Sequence, residues 1–379
     1  MSRKKKRAGH HSKDTSSHSY PDPPNKDSAI AIMSIKYAKD QPAGFTNRIE
    51  NVAIVGAGGQ VGKHIVEELL KTGKHTVTAI TRIGSTSELP KGVKVAPVDY
   101  DDEQTMVDAL KGQQFLFISL AVTAPKDTQA KIIAAAAKAG VAWVMPNSYG
   151  VDYANKSLQA DAMTQAGTES GVAAAEKAGL SWIYMSCSFW YEYSLSMGNA
   201  WYGFDIPDRK VTFYDDGKTR INTSTWRQCG RAAAKLLSLK ELPDDENDQS
   251  PTISQWRNKP LYISSFLISQ RDMLDSLNRV LGTTDADWQI EYEPTDVRYK
   301  RGLELFKAGN MVGFGMAMYS RGFYPNGDGN YEAKYGLANK ALGLPEEDLD
   351  EATKLAVEMA EAGFGARRLQ VVAGLAKSH

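Results

Sequence analysis

Short apolar runs alternate with amphipathic segments along most of the chain after residue 50. The run Val52–Val55 is too short for a helix and is followed by glycine, which predicts a strand buried on both faces. From Val61 to Leu70, apolar residues recur at helical spacing with charged residues between them. Gly73 ends this predicted helix, and Val77–Thr81 forms a second strand. The pattern is that of a strand–helix–strand unit.

The same alternation continues to about residue 185. Further strands are predicted at Val93–Val98, Phe115–Leu120, Val141–Met145 and Leu180–Met185. Helices are predicted at Glu103–Leu110, Gln129–Ala139 and Glu169–Ala178. Repeated βα units with buried strands predict an α/β fold, a doubly wound parallel sheet of the Rossmann type. Ligands of such sheets bind beyond the carboxyl ends of the strands.

Three glycines stand between the first strand and the first helix. Gly56, Gly59 and Gly62 have the spacing GxxGxxG. The first glycine allows a tight turn, the second lets backbone N–H groups approach a pyrophosphate, and the third lets the helix pack against the strand. We therefore predict a dinucleotide site that also includes Gln60 and Val61. The alternative is a glycine-rich turn with a structural role only.

The residue after the second strand indicates which dinucleotide binds. NAD sites usually carry Asp or Glu about 20 residues beyond the glycines. This chain has Arg82 there, followed by Ser85, Thr86 and Ser87. A guanidinium can bind a 2′-phosphate through two hydrogen bonds, and hydroxyl groups can assist. NADP(H) is therefore the predicted cofactor, and the alternative is that Arg82 is an ordinary solvated arginine.

Several other residues directly follow predicted strands. Asp99 follows the third strand, Leu120 ends the fourth, and Pro146 and Asn147 follow the fifth. Because parallel strands end at the same edge of a sheet, we expect these four residues to line the cofactor site.

Composition narrows the possible partners. The chain has 379 residues, of which 42% are hydrophobic and 24% are charged, and its formal net charge is zero. This balance gives no overall field for binding nucleic acid or an anionic membrane, so a small molecule is the expected partner. The two cysteines, Cys187 and Cys229, form neither a disulfide framework nor a metal-ligand spacing, which favours a reducing compartment such as the cytoplasm. No apolar run approaches the roughly 18 residues that span a bilayer.

Residues 1–48 differ in composition from the rest. They are polar and rich in serine, without helix or strand periodicity, which predicts a disordered tail. The basic run Lys4–Arg7 is a candidate nuclear-import cluster, although such runs in tails are more often merely solvated. No apolar segment of a secretory signal is expected here. Met33 could be an alternative translation start.

After residue 188 the predicted elements become a mixture of helices and strands. Strands are expected at Lys210–Tyr214, Leu261–Phe266 and Trp288–Tyr292. Helices are expected from Thr225 to Leu239 and at Ser269–Leu281, Val297–Ala308, Met311–Met318 and Leu349–Met359. We therefore divide the chain into the tail 1–48, a dinucleotide-binding domain 49–188, and a smaller α+β substrate-binding region 189–379 on the carboxyl edge of the sheet.

A family resemblance rests on four features taken together. The glycine stretch, Arg82, the turn Pro146–Gly150 (PNSYG) and the aromatic run Phe189–Leu195 (FWYEYSL) resemble the NmrA-like and isoflavone-reductase-like group of atypical short-chain dehydrogenases, particularly its fungal members. The likeness extends from Asn51 to Leu239 and more loosely beyond. The resemblance implies NADP(H) in the glycine turn and an aromatic residue, here Tyr149, beside the nicotinamide.

Two catalytic signatures are absent from the sequence. Reductases of this group carry a lysine in the helix before the sixth strand, and the corresponding place falls near Thr168 or Glu169. The YxxxK pair of ordinary short-chain dehydrogenases puts tyrosine and lysine on one helical face, where the ammonium lowers the pKa of the phenol. Here Tyr153 and Lys156 are three residues apart, in a segment that is expected to be a loop.

Four residues remain as candidate proton donors. Tyr149 is favoured because it follows the fifth strand, and Tyr153, Lys156 and Glu192 are weaker candidates. Glu192 lies within Ser188–Asp205, where aromatic residues are crowded as in an apolar ligand pocket. The same aromatics could instead only pack the C-terminal region onto the sheet. A carboxyl group buried there would have a raised pKa.

The sequence predicts an NADPH-dependent reductase of a small aromatic or conjugated carbonyl, quinone or enone compound. Because the lysine and the YxxxK pair are missing, we expect acceptors that delocalise the added charge themselves. The alternative is a non-catalytic NADP(H)-sensing regulator of the NmrA type, which would act on a protein partner.

Overall fold

A computed structural model describes residues 37–121, 124–147 and 149–376, with side chains to residue 370. The predictions for residues 1–36, including the basic run Lys4–Arg7 and Met33, lie outside the described residues. So does Ser148 of the PNSYG turn.

The secondary structure follows the predicted alternation, with ends that differ by a few residues. The strands are β1 (Asn51–Val55), β2 (Thr76–Arg82), β3 (Lys94–Val98), β4 (Phe115–Ile118), β5 (Trp143–Met145), β6 (Tyr149–Gly150), β7 (Ser181–Ser186), β8 (Phe189–Trp190), β9 (Phe204–Asp205), β10 (Lys210–Tyr214), β11 (Ile221–Ser224), β12 (Lys259–Tyr262), β13 (Phe266–Ile268) and β14 (Gln289–Glu293). The helices are α1 (Gln60–Lys71), α2 (Glu103–Leu110), α3 (Thr128–Lys138), α4 (Lys156–Asp161), α5 (Gln165–Lys177), α6 (Tyr191–Ser196), α7 (Trp226–Leu237), α8 (Gln270–Leu281), α9 (Thr295–Lys307), α10 (Met311–Gly322), α11 (Glu332–Tyr335), α12 (Leu349–Glu361) and α13 (Phe364–Ala376).

The main sheet is parallel and doubly wound, which confirms the predicted Rossmann-type class. In the described part of the chain its strand order is β12-β7-β5-β4-β1-β2-β3, with β6 beside β7. Alternate residues of β1 face opposite layers, so Val52 and Ile54 join one hydrophobic core while Ala53 and Val55 join the other. The strand order changes direction at β1: β2 and β3 lie on one side of it, and β4, β5, β7 and β12 lie on the other. The carboxyl ends of β1 and β4 therefore flank the crevice where ligands of such sheets bind.

The chain returns to this sheet after residue 188. Strand β12 pairs in parallel with β7 and forms the edge of the sheet. Helix α7 packs closely on α1, since a Cβ atom added at Gly230 would lie only 2.4 Å from the carbonyl oxygen of His64. Residues from the predicted substrate-binding region therefore complete the Rossmann layer. The domain boundary at residue 188 stays a prediction.

A second hydrophobic core is formed by the C-terminal elements. Two small sheets, in the orders β14-β10-β9 and β13-β11-β8, pack with helices α8, α10 and α12 around it. Tyr191, Tyr202 and Phe204 from the aromatic segment are fully buried in this core. Trp190 and Tyr193 are only partly buried and pack against the core of the main sheet. The aromatic segment thus serves packing in part, and the rest of it faces the sheet.

Several elements differ from the sequence predictions. Short strands such as β6, β8, β9 and β11 are not predicted, and the segment of Lys156, expected to be a loop, begins helix α4. The strand expected at Leu261–Phe266 is wrong, because the backbone changes partners there. Ile263 N–H donates to the carbonyl of Ser186, whereas Ser265 N–H donates to the carbonyl of Thr223 in the other sheet. Helix α6 within the aromatic segment and the last helix, α13, were not predicted. None of the helices in the described ranges is long and apolar enough to cross a membrane.

Candidate functional site

The glycine turn between β1 and α1 has the conformation that a dinucleotide site needs. Gly56 has φ +80°, and a Cβ atom there would lie 1.9 Å from the carbonyl oxygen of Ser119. A Cβ atom at Gly62 would lie 2.1 Å from the carbonyl oxygen of Gly56. Helix α1 begins at Gln60 without a side-chain cap. The N–H groups of its first turn, including that of Val61, are therefore available to an anion.

The loop after β2 lies against this turn. A Cβ atom at Gly58 would lie 2.8 Å from the carbonyl oxygen of Glu88 and 3.2 Å from the Cβ of Ser87. The Ser85 hydroxyl donates to the Ser87 hydroxyl at 3.3 Å. Arg82, at the end of β2, is exposed. The Ser85 and Ser87 hydroxyls thus belong to the loop that lies against the glycine turn. The binding of a 2′-phosphate by Arg82 and these hydroxyls stays a prediction.

The ends of β4 and β5 are tied together by one side chain. The amide of Asn147 donates to the carbonyl of Leu120 at 3.2 Å, and Leu120 N–H donates back to Asn147 Oδ1 at 3.2 Å. Pro146 directly follows β5. The carboxylate of Asp99 accepts the N–H of Asp101 at 2.9 Å within its own turn. These residues lie at the predicted edge of the sheet, and their contact with a cofactor stays a prediction.

The structure separates the two candidate tyrosines. Tyr149 packs against the core that contains Cys187 and Cys229, and its hydroxyl is buried with no hydrogen-bond partner among the described residues. Burial raises the pKa of this phenol well above its ordinary value. Tyr153 packs on the other face of the sheet, 4.9 Å between ring centroids from Tyr184. The two tyrosines therefore cannot serve one reacting group.

Lys156 does not act on the hydroxyl of Tyr153. Its ammonium lies 4.4 Å from the centroid of the Tyr153 ring, a cation–π contact, and 3.8 Å from the carboxylate of Glu169. Thr168, which stands near the family's lysine position, is buried. Burial raises the pKa of Tyr184, and a hydrogen bond with Thr168 partly offsets that rise. The ammonium group of Lys156 is thus engaged by an aromatic ring and a carboxylate, and it does not form the tyrosine–lysine pair that ordinary short-chain dehydrogenases use.

Glu192 is a buried carboxyl group at the carboxyl edge of the sheet. Its side chain is 2% exposed. One oxygen accepts the backbone N–H of Trp226, the first residue of α7, at 2.8 Å. The other oxygen has no partner in the described ranges. Burial raises the pKa of Glu192 to about 7, and the backbone N–H groups around it only partly oppose that rise.

Aromatic rings and further polar groups surround this carboxyl group. The ring centroids of Trp190, Tyr193 and Trp226 are 6.0 to 6.1 Å apart. Trp226 also stacks on His64 of α1, 6.1 Å between ring centroids, so the three rings are in contact with the helix that follows the glycine turn. Ser224 is paired in register with Trp190. We call Glu192, Trp190, Tyr193, Ser224 and Trp226 the Glu192 cluster.

The Glu192 cluster holds an unusual number of unsatisfied polar atoms. Within the described residues, the indole N–H groups of both tryptophans, the hydroxyl of Ser224 and one oxygen of Glu192 are buried without partners. Such atoms are rare in folded proteins because each one costs free energy. Their concentration beside the glycine turn is typical of a site that a polar, partly aromatic ligand completes.

Sequence reasoning missed two members of this cluster. The spacing of Thr225 and Gln228 predicts a helix cap, and the Thr225 hydroxyl does accept the N–H of Gln228 at 2.9 Å. It gave no sign that Ser224 and Trp226 would lie beside Glu192. No group of His, Cys, Asp and Glu in the described part of the chain could hold a metal ion.

Comparison with known proteins supports the family resemblance. Residues 49–197 match the NmrA-like family. The oxidoreductase aprR of Aspergillus flavus is 29% identical over 305 residues, which are 79% of this chain and 96% of that protein. Over residues 49–197 this chain is therefore similar to the NmrA-like family. The resemblance inferred from the glycine stretch, Arg82, the PNSYG turn and the aromatic run is thereby confirmed.

Other relatives of this NmrA-like chain are reductases. The phenylcoumaran benzylic ether reductase Betv6 of Betula pendula is 30% identical over 45% of this chain and 58% of that protein. The crystal structure of an isoflavone reductase superposes with a TM-score of 0.61 at 21% identity, covering 80% of this chain and 98% of that one. The NADPH complex of quinone oxidoreductase QOR2 from Escherichia coli superposes with a TM-score of 0.55 at 19% identity, covering 80% and 98%. These two structures share the fold described above.

Proposed function

We propose that this NmrA-like protein uses NADPH to reduce a small aromatic or conjugated carbonyl, quinone or enone compound between the glycine turn and the Glu192 cluster. The observation that carries the proposal is the set of unpartnered buried polar atoms in the Glu192 cluster, among its aromatic rings. The cluster contacts helix α1 through the stacking of Trp226 on His64. A flat conjugated compound can stack on these aromatic rings, and its oxygen can accept hydrogen bonds from the unpartnered indole N–H and hydroxyl groups.

The predicted general class, an NADP(H)-dependent oxidoreductase, is confirmed. The relatives with known names are oxidoreductases and reductases, and several solved structures of the same fold contain NADPH or NADP⁺. The residues of this chain fit that cofactor, since Gly56 makes the tight turn with φ +80° and helix α1 begins without a side-chain cap, which leaves backbone N–H groups of its first turn for a pyrophosphate. The glycine turn would hold the pyrophosphate and Arg82 the 2′-phosphate. When bound, the cofactor supplies a hydride.

The remaining chemistry belongs to side chains of the protein. Hydride addition to a conjugated carbonyl leaves negative charge on the oxygen, which then takes up one proton. The Tyr149 hydroxyl stays protonated because burial raises its pKa, so it can donate a hydrogen bond to that oxygen. Glu192, whose pKa is raised to about 7, can carry the proton in its neutral form. In this proposal Glu192 is the proton donor and Tyr149 assists it.

One observation favours the alternative function. The position near the family's lysine is occupied by Thr168, which is buried and bound to Tyr184 rather than free to polarise a substrate. An NADP(H) sensor with a protein partner would need the cofactor site but no proton donor. The same protein would then bind NADPH tightly and leave every acceptor unchanged.

Loss of NADPH absorbance with a quinone, an enone and a simple ketone tests these alternatives. We expect turnover of the quinone and the enone, a fall of about 10²-fold in Glu192→Gln and a smaller fall in Tyr149→Phe. Tyr153→Phe is the matched control, because that tyrosine lies on the opposite face of the sheet, and it should keep the parent rate. Tight NADPH binding without turnover of any acceptor would favour the sensor.

A further inference from the structure

The last helix of the described chain reaches back to the glycine turn. Arg368 of α13 donates from Nη2 to the side-chain oxygen of Gln60 at 3.4 Å, across 308 residues of sequence. The ring of Phe364 meets the ring of Tyr193 edge-on, 5.9 Å between centroids. A Cβ atom added at Gly365 would lie 2.9 Å from the carbonyl oxygen of Met197. The helix is therefore docked closely, and Arg368 lies beside the first residue of α1.

This position is electrostatically unfavourable for an arginine on its own. The amino end of a helix carries a partial positive charge, which repels a guanidinium and attracts an anion. Within the described residues Arg368 forms no ion pair with a carboxylate, and its Nε is buried without a partner. The side-chain nitrogen of Gln60 next to it is also buried and unpartnered. Two unsatisfied donors thus converge on a helix terminus that already favours negative charge.

Tyr193 limits what else could satisfy Arg368. Burial raises the pKa of Tyr193, and the neighbouring guanidinium, which hydrogen-bonds to its hydroxyl, opposes that rise. This contact supplies one partner without any negative charge. The remaining donors of Arg368 and Gln60 require an anion that can also accept the N–H groups of the glycine turn. A phosphate oxygen beside Gly59 meets both requirements.

We propose that Arg368 is a ligand of the cofactor's pyrophosphate, so that the C-terminal helix completes the dinucleotide site from outside the glycine motif. This inference rests on the assignment of NADP(H) to the glycine turn. It divides the recognition of phosphate between two arginines. Arg82, at the end of β2, is assigned to the 2′-phosphate, whereas Arg368 contacts Gln60 beside the glycine turn.

Calorimetric binding of three ligands separates these two roles. NADPH carries both the pyrophosphate and the 2′-phosphate, NADH carries only the pyrophosphate, and adenosine 2′-monophosphate carries only the 2′-phosphate. We expect Arg368→Gln to weaken the binding of NADPH and of NADH by the same factor, about tenfold to a hundredfold, and to leave the affinity for adenosine 2′-monophosphate unchanged. Arg82→Ala should weaken the binding of NADPH and of adenosine 2′-monophosphate and leave the affinity for NADH unchanged.

Arg367→Gln is the matched control. Arg367 is the neighbour of Arg368 in α13, but its guanidinium donates to the carbonyl of Ala362, the residue that follows α12. It should bind all three ligands like the parent. If Arg368→Gln does not fold, Arg368→Lys should, and it should show a smaller loss for the two dinucleotides because a lysine keeps the charge but not the fork of donors.

Two results would overturn the inference. Equal affinities of Arg368→Gln and Arg367→Gln for NADPH would show that Arg368 only packs the helix. An equal loss for adenosine 2′-monophosphate would show a general effect on the site. Failure of the parent protein to bind NADPH is a separate outcome, which would remove the cofactor assignment itself and this inference with it.

Discussion

The carboxylate of Glu192 accepts the backbone N–H of Trp226 at 2.8 Å, at the junction between the aromatic helix α6 and the amino end of α7. The two residues are 34 positions apart in sequence. A carboxyl group at a helix amino end is usually ionised and stabilising there. Here burial outweighs that effect and raises the pKa of Glu192 to about 7. This competition leads to the first two predictions.

Glu192→Gln should stabilise the protein at alkaline pH. The pKa of Glu192 rises from 4.5 to about 7 on folding, so its protonated form is favoured in the folded state. The contribution of the protonated carboxyl group to the free energy of unfolding is fully present below pH 4.5 and is lost as the pH rises through about 7. Glutamine cannot ionise and still offers an oxygen to Trp226 N–H. Unfolding by urea without cofactor should show similar stabilities at pH 4.5 and a gain on the order of 3 kcal/mol for the variant at pH 8. Glu169→Gln, at an exposed site, is the control, and a gain independent of pH would contradict the prediction.

The rate of acceptor reduction should fall as the pH rises through about 7. The proposed donor must carry a proton, and the pKa of Glu192 lies at about 7. Above this value the rate should drop about tenfold for each pH unit. Measuring kcat with a quinone from pH 5.5 to 9 checks this. A flat profile in the parent, or an unchanged profile in Glu192→Gln, would exclude Glu192 as the donor.

NADPH should bind more tightly than NADH because of Arg82. A charged hydrogen bond contributes about 1.5–3 kcal/mol, which corresponds to roughly tenfold to a hundredfold in affinity. Arg82→Ala should remove most of this preference by weakening NADPH alone. Quenching of tryptophan fluorescence by the two cofactors measures it. Arg48→Ala is a suitable control, since Arg48 pairs with Glu50 at 2.6 Å before β1. Equal affinities for the two cofactors in the parent would contradict the prediction.

Gly62→Ala should abolish cofactor binding or folding. Its Cβ atom would lie 2.1 Å from the carbonyl oxygen of Gly56, and neither backbone can move without breaking the packing of α1 on β1. Gly167→Ala is the matched control, because Gly167 lies in helix α5 with no atom within 4 Å of its Cβ position. That variant should gain about 0.5–1 kcal/mol of stability. Thermal unfolding and NADPH titration of both variants test this prediction. It is wrong if Gly62→Ala folds and binds NADPH as tightly as the parent protein.

The sequence by itself determined the Rossmann-type unit, the glycine turn and the place of Arg82. These features depend on periodicity and on residues that are neighbours in the chain, so the pattern of apolar positions carries them. The helical cap at Thr225 was visible for the same reason, since its partner Gln228 is three residues away. Residues of this kind restrict the local backbone wherever the segment ends up.

Only the tertiary structure decided which candidate residues could act together. The sequence could not show that Tyr149 and Tyr153 lie on opposite faces of the sheet, because the chain between them bends without a regular period. It could not place Ser224 and Trp226 beside Glu192, or Arg368 beside Gln60 across 308 residues. Contacts between such distant residues depend on how layers pack, which leaves no pattern within either segment. The burial that raises the pKa of Glu192 arises in the same way, from elements remote in the chain.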